Sequence, residues 1–173
     1  MQVDEICKAF DRAKNPASYN PIERKATCGG RTRDDKGNWI KGFTFSVGTC
    51  TPEAAEAWAL LKGIQLAKLI GSRQTCFESN SLIVVKAINQ NWKFNNVADN
   101  TVVACKRELN SIGTWQVSHI ARDKNRAADL LAKAVIGENK MVIYNQPPDI
   151  LLDTLEEDQF GLPIWRHTIN DWV

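Results

Sequence analysis

Residues 39–71 read WIKGFTFSVGTCTPEAAEAWALLKGIQLAKLIG, and this stretch changes its period halfway along. Phe43, Phe45 and Val47 alternate with polar or small residues, which predicts a half-buried strand over 39–47. Thr51 then supplies a helix N-cap and Pro52 suits the first helical position. The helix is expected to run to about Ile70 and to stop at Gly71. A strand feeding directly into a long helix sets the frame for everything on either side.

Upstream, residues 26–33 read as a second strand, joined to the first as a hairpin through the turn-rich Asp34-Asp35-Lys36-Gly37-Asn38. Residues 5–11 predict a further short strand, separated from the hairpin by a polar stretch from Lys14 to Lys25. Downstream, 74–78 predicts a strand, followed by helices near 81–90 and 98–110. A strand follows over 114–120, with Trp115, Val117 and His119 on one face, and then a helix over 124–136. The order is three strands, helix, strand, two helices, strand, helix. It predicts an α/β fold with a mixed sheet of five strands, three antiparallel and two parallel additions, flanked by helices.

The 173 residues carry 22 Lys+Arg against 20 Asp+Glu, and the bland net of +2 hides a partition. Residues 138–173 hold two basic and seven acidic residues, net −5, which leaves 20 basic and 13 acidic residues, net +7, in 1–137. We therefore expect a folded domain over 1–137 and a partly ordered acidic tail over 138–173, with at most one short helix. A basic body of this kind suits a polyanionic partner. Basic residues Arg24, Lys25, Arg31, Arg33, Lys36 and Lys41 gather around the hairpin, and Trp92-Lys93-Phe94 is an aromatic-basic patch suited either to bases and sugars or to local packing. No apolar run approaches a membrane span, and residues 1–15 lack the apolar core of a signal peptide, so a cytoplasmic or nuclear monomer is expected. The five cysteines are odd in number and widely spaced, which argues against a disulfide framework and for reduced thiols.

Several polar residues occupy positions that ask for a reason. Glu56 shares a helical stripe with Leu60, Gly63 and Ala67, where a carboxylate needs a metal, a cation or a proton; the plainer reading is a favourable charge near a helix start. Asn80 closes a strand and precedes a helix, a place common both for ligand sites and for caps. Asp129 lies within an apolar helix segment and His119 on the apolar side of its strand. Carboxylates converging from strand ends and helix starts are a way to hold hard divalent cations. Two such ions roughly 3.5–4 Å apart can serve phosphodiester cleavage.

These residues belong to longer runs. Gly29-Gly30-x-x-Arg33-Asp34-x-x-Gly37-x-Trp39-x-x-Gly42-Phe43, Ala55-Glu56-Ala57-Trp58-Ala59-Leu60, Glu78-Ser79-Asn80-Ser81 and His119-Ile-Ala-Arg122-Asp-Lys-Asn125-x-x-Ala128-Asp129-x-Leu131-Ala132 stand in this order. Together they resemble the plant ribonuclease H-like domains related to retrotransposon enzymes, over about residues 5–161. The resemblance implies a ribonuclease H-like fold, four metal-binding carboxylates, and Mg²⁺- or Mn²⁺-dependent cleavage of the RNA strand of RNA–DNA hybrids. Glu56 and Asp129 match the second and fourth carboxylates, His119 matches a mobile histidine linked to product release, and Asn125 matches an asparagine that holds nucleic acid. Arg12, Gly30, Ser79, Ser81 and Arg122 join the implied nucleic-acid contacts.

The first carboxylate has two candidate places. Phe10-Asp11-Arg12-Ala13 is the better match, with Arg12 where the family has glycine; Asn15-Pro16-Ala17 is the alternative and carries no acid. The third carboxylate is absent, because Asn80 stands in its position. An amide brings one oxygen ligand and no charge. Mg²⁺, which demands near-octahedral oxygen geometry, is therefore expected to bind weakly. Glu78 precedes Asn80 by two residues, but the family carries a Glu there as well. Three functions stay open: a nucleic-acid-binding domain with lost or weakened cleavage, an active hybrid ribonuclease, and a protein-interaction pseudoenzyme whose partner engages the acidic tail.

Overall fold

The computed structural model describes residues 1–10, 24–90, 92–94, 98–134 and 140–160. The hairpin forms as the sequence predicts, with longer arms. Strand β2 covers Arg24–Arg33 and β3 covers Trp39–Cys50, antiparallel, with register shifts at Ala26/Thr27 and Thr32/Arg33. Asp34 fixes the turn: its carboxylate accepts the backbone N–H of Lys36 at 2.9 Å and of Asn38 at 2.8 Å, and the Asn38 amide at 2.9 Å. The hydrogen bonds from Asn38 hold the Asp34 carboxyl below its usual range. Gly37 takes φ +84° there, a conformation costly for residues with a Cβ.

Strand β1, Gln2–Phe10, pairs antiparallel with β2, so Cys7 stands opposite Cys28. Helix α1, Pro52–Ile70, begins and ends where its signals place it. The Thr51 hydroxyl accepts the Ala54 N–H at 3.3 Å, and Gly71 adopts a left-handed φ of 76° while its N–H bonds back to the Lys68 carbonyl at 2.9 Å. Strand β4, Gln74–Ser79, lies parallel to β1, and β5, Thr114–His119, lies parallel to β4. Helices α2, Leu82–Gln90, and α3, Ala98–Leu109, connect them.

The last predicted helix is shorter and two-part. Arg122–Asn125 form a single 3₁₀ turn, and α4 proper is Arg126–Lys133; residues 135 and 136 lie outside the described residues. The acidic segment also does more than form one helix. Met141–Tyr144 add a strand, β6, antiparallel to β3, so the sheet has six strands in the order β5-β4-β1-β2-β3-β6. A 3₁₀ turn at Asp149–Leu151 and helix α5, Leu152–Phe160, follow. Four strand residues between turn formers and Pro147-Pro148 carry too short an alternation to be read locally.

Alternation along β2 sorts the helices onto two faces. Cys28 packs in a cluster with Ala55, Ala59 and Leu66 of α1. Its neighbour Gly29 faces the other way: a Cβ there would meet Ala132 and Leu131 of α4, and the Thr27 hydroxyl donates to the Ala132 carbonyl at 2.8 Å. So α1 and α4 cover opposite faces of the sheet. The larger core lies on the α1 side, where Val3, Phe77, Leu60, Ile64 and Leu109 are fully buried. On the α4 side Leu131, Ala127 and Leu151 form a smaller cluster with Trp39 and Tyr144 against it. Among the described residues no helix is long and apolar enough to cross a membrane. Among the described residues no disulfide joins Cys28, Cys50, Cys76 or Cys105 to one another.

Candidate functional site

Glu56 sits in the second turn of α1, and the stripe read from the sequence is real: Leu60, Gly63 and Ala67 are all buried. Glu56 is itself half-buried, with Oε2 withdrawn from solvent. A carboxylate at such a depth must be compensated.

The C-terminal ends of β4 and β5 form a second group. Ser79 is in register with His119, and the Ile120 N–H donates to the Ser79 carbonyl at 3.0 Å. The Ser79 hydroxyl accepts the Ser81 N–H at 3.2 Å, which turns the chain into α2. Ser79 is thus buried and occupied as a turn former. Asn80 lies between them, immediately past the strand. Its Oδ1 is buried and accepts no hydrogen bond from any described residue. His119 shares the parity of buried Val117 yet is exposed, because it ends the strand where packing stops.

One residue earlier, Glu78 points to the face opposite Phe77, which is the α4 side. There it pairs with Arg33 of β2 at 3.3 Å, reaching across β1. Arg31 lies on the same face by alternation and is 4% exposed. Of the basic residues gathered around the hairpin, therefore, Arg31 is buried, Arg33 is engaged by Glu78, and Lys41 is hydrogen-bonded to Asn145. Lys25 and Lys36 are exposed. Gly30 is buried in mid-sheet, between Glu5 and Phe43. In the aromatic-basic patch Trp92 is 54% exposed, whereas Phe94 packs against the core and its N–H donates to Asp99 at 2.8 Å.

The third group surrounds α4. Asn125 is buried where the 3₁₀ turn passes into the helix. Asp129 follows one turn later, 18% exposed, with Arg122 at 3.7 Å from one carboxylate oxygen and Lys133 at 3.2 Å from the other. Lys133 did not figure among the sequence candidates, although its spacing of four from Asp129 on a helix signals such a pair. Arg126 is bound to Glu157 of α5.

The structure brings Asn80, Ser79, Ser81 and His119 to one end of β4 and β5, and Arg122, Asn125 and Asp129 to the start of α4. Glu56 belongs to a helix on the opposite face from α4. Asp11, Arg12 and the alternative Asn15 lie outside the described residues. The last pairing of β1 with β4 is Glu5 with Ser79, and β1 runs on to Phe10 beside Lys25. At about 3.3 Å per residue Phe10 lies about 16 Å further along the strand than Glu5.

The resemblance implies a pair of Mg²⁺ ions, and the described side chains do not fit that pair. Asn80 offers an uncharged amide. Asp129 has Lys133 beside Oδ2, whereas Arg122 comes no nearer than 3.7 Å to the buried Oδ1 and makes no hydrogen bond to it; Glu78 is held by Arg33. Among the described residues no group of three His, Cys, Asp or Glu side chains is placed to hold a metal ion.

The sheet order, the two helix faces and the polar strand ends define a ribonuclease H-like domain. Residues 16–135 match the family described as reverse transcriptase-like, and the chain belongs to that family. The match opens on Pro16, after Asp11. The chain is 26% identical over 137 residues to an Arabidopsis thaliana protein that carries the name ribonuclease H protein; this covers 79% of the chain and 22% of the relative, about a fifth of its length. Among solved structures it is similar to RNase H1 from Halobacterium salinarum, with 21% identity and a TM-score of 0.65 over 77% of this chain and 96% of that one. LC11-RNase H1, solved in complex with an RNA/DNA hybrid, gives 20% identity and a TM-score of 0.65 over 78% and 95%. At these identities the likeness is one of fold.

Proposed function

We propose that this chain is a monomeric nucleic-acid-binding domain for RNA–DNA hybrids, in which metal-dependent cleavage of the RNA strand is lost or much weakened. Asn80 carries the reading. It stands where the resemblance implies a metal-binding carboxylate, and its buried Oδ1 brings no charge to that position. Asp11 lies outside the described residues, and Glu56 and Asp129 alone would hold a pair of Mg²⁺ or Mn²⁺ ions weakly. In-line displacement then loses much of the charge stabilisation on which such chemistry rests. Glu78 does not repair the deficit, because Arg33 already holds it. The acidic tail, 138–173, and a protein partner for it stand outside this cleavage question, as does the boundary of the domain at 137.

The experiment incubates a labelled RNA–DNA hybrid with the chain in Mg²⁺ or Mn²⁺, beside Asn80→Asp. The expected wild-type result is binding without turnover. Clear wild-type turnover establishes the active-ribonuclease reading instead. Cleavage restored by Asn80→Asp alone shows that the third carboxylate was the missing part; continued inactivity shows that a further part of the metal site is defective.

A further inference from the structure

On the α1 side of the sheet the outer margin is incompletely covered. Helix α1 packs mainly over β1 and β2. Phe43 of β3 is therefore fully buried, whereas Phe45 and Val47 on the same face are only half-buried. Strand β6 extends that face: Met141 stands opposite Phe45, and Ile143, 39% exposed, stands opposite Phe43. β6 also ends the sheet. It pairs with β3 on one edge, and its other edge meets no strand among the described residues. A free edge beside exposed apolar side chains is a template for another extended chain.

The margin also carries a cation in a fixed place. Lys62 of α1 holds its ammonium 4.4 Å from the centre of the Phe45 ring and 5.3 Å from that of Trp58. Its neighbours three and four residues away on the helix are Trp58, Ala59, Gln65 and Leu66, none of them acidic. It donates to the neutral Gln65 side chain at 3.1 Å. Burial pulls its pKa below the usual lysine value. Lys41, on the same face as Phe43, is likewise bound to a neutral group, Asn145. Among the described residues no carboxylate pairs with Lys62 or Lys41.

We propose that this margin docks an acidic, extended segment of a protein partner, which pairs with the free edge of β6 and sets a carboxylate against Lys62. Apolar side chains of the segment cover Phe45, Val47 and Ile143. Peptide groups can continue a sheet edge, whereas a phosphodiester backbone has no N–H to offer it. The surface is distinct from the groups around Asn80 and Asp129: β6 lies four strand spacings, about 19 Å, from β4, and α4 covers the opposite face.

Fluorescence anisotropy of the full chain with two labelled eight-residue peptides tests this, one alternating Glu with Val and one alternating Lys with Val. The acidic peptide should bind saturably, about tenfold or more tighter than the basic one. Lys62→Gln should weaken the acidic peptide several-fold, and Lys62→Glu should abolish the preference. An acidic peptide N-methylated at alternate residues, which lacks the donors of one edge, should bind about tenfold more weakly. That arm leaves the protein unaltered and decides the matter if a Lys62 variant melts early. Amide exchange should slow at residues 141–144 on binding and stay unchanged in β5, the other edge strand. Equal binding of acidic and basic peptides, undiminished binding of the N-methylated one, or no binding at millimolar peptide overturns the proposal. So does displacement of the acidic peptide by an RNA–DNA hybrid, which gives the surface to nucleic acid. A dimer of the chain that Ile143→Ser dissociates gives it to a second copy and overturns the proposal as well.

Discussion

Gly29 is the residue on which the two faces of the sheet depend. A Cβ there would stand 2.4 Å from the Ala132 nitrogen and 2.7 Å from the Leu131 carbonyl carbon, both of them backbone of α4. Backbone atoms in a packed helix cannot turn aside as a side-chain tip can. Gly29→Ala should therefore cost about 1–3 kcal/mol, the range of overpacked cores. A urea denaturation curve should show the midpoint falling with an unchanged slope. The contrast is Gly37, where nothing lies within 4 Å and the cost of alanine is the strain of φ +84° alone. A Gly29→Ala midpoint equal to wild type would show that α4 shifts freely. At this scale the sequence was partly transparent. Gly29 and Gly30 stood out as a pair, but their reason lies at residues 131 and 132, beyond any local pattern. The pair Arg33–Glu78 is hidden for the same cause: its members are 45 residues apart on strands that are not neighbours. Lys133 and Asp129, four apart on one helix, were legible and only needed to be read as an ion pair.

At the scale of elements, α1 and α3 are joined at the surface by Lys68 and Glu108. The hydrogen bond from Lys68 holds the Glu108 carboxyl below its ordinary value of 4.5. A carboxyl depressed on folding contributes stability that is complete above about pH 4.5 and is lost as pH falls through the lowered value. Glu108→Gln should accordingly lower Tm slightly at pH 7, by the few tenths of a kcal/mol typical of exposed pairs. The difference should close as pH falls below the lowered carboxyl value, and in molar salt, where the Debye length is about 3 Å. Thermal melts at the two pH values check this, and a gap that persists in acid would mean that Glu108 acts through packing. Elements with strong local punctuation were plain in the sequence: Thr51, Pro52 and Gly71 bound α1 without help from the rest of the chain. Strand β6 was not, because its identity comes from pairing with β3, about a hundred residues earlier. The helix expected from Lys124 begins inside the 3₁₀ turn because both are built from the same residue types, and only the ladder of hydrogen bonds separates them.

The whole molecule combines a body of net +7 with an acidic segment of net −5, and the fold gives that partition a geometry. Part of the acidic segment is built into the body. Leu151 is fully buried, Thr154 is 3% exposed, and β6 extends the sheet. Removing 138–173 therefore changes packing as well as charge, and a change in affinity after deletion has two causes. Neutralising charges in place separates them. Asp153 and Glu156 are exposed, and Glu157 is bound to Arg126 on α4, the helix that also carries Asp129 and Lys133. Asp153→Asn, Glu156→Gln and Glu157→Gln together leave Leu151 and β6 untouched and release Arg126. If the acidic segment competes with phosphate for the cations of α4, this triple variant should bind a labelled hybrid several-fold more tightly at low salt. Its log–log salt slope should also steepen by about one, the contribution of one released cation. The advantage should vanish in molar salt, as a screened electrostatic effect must. A melt within a few degrees of wild type would show that the packing is preserved. An affinity equal to wild type at low salt would make α5 a buttress for α4 and nothing more, and would leave the acidic segment no part in excluding nucleic acid.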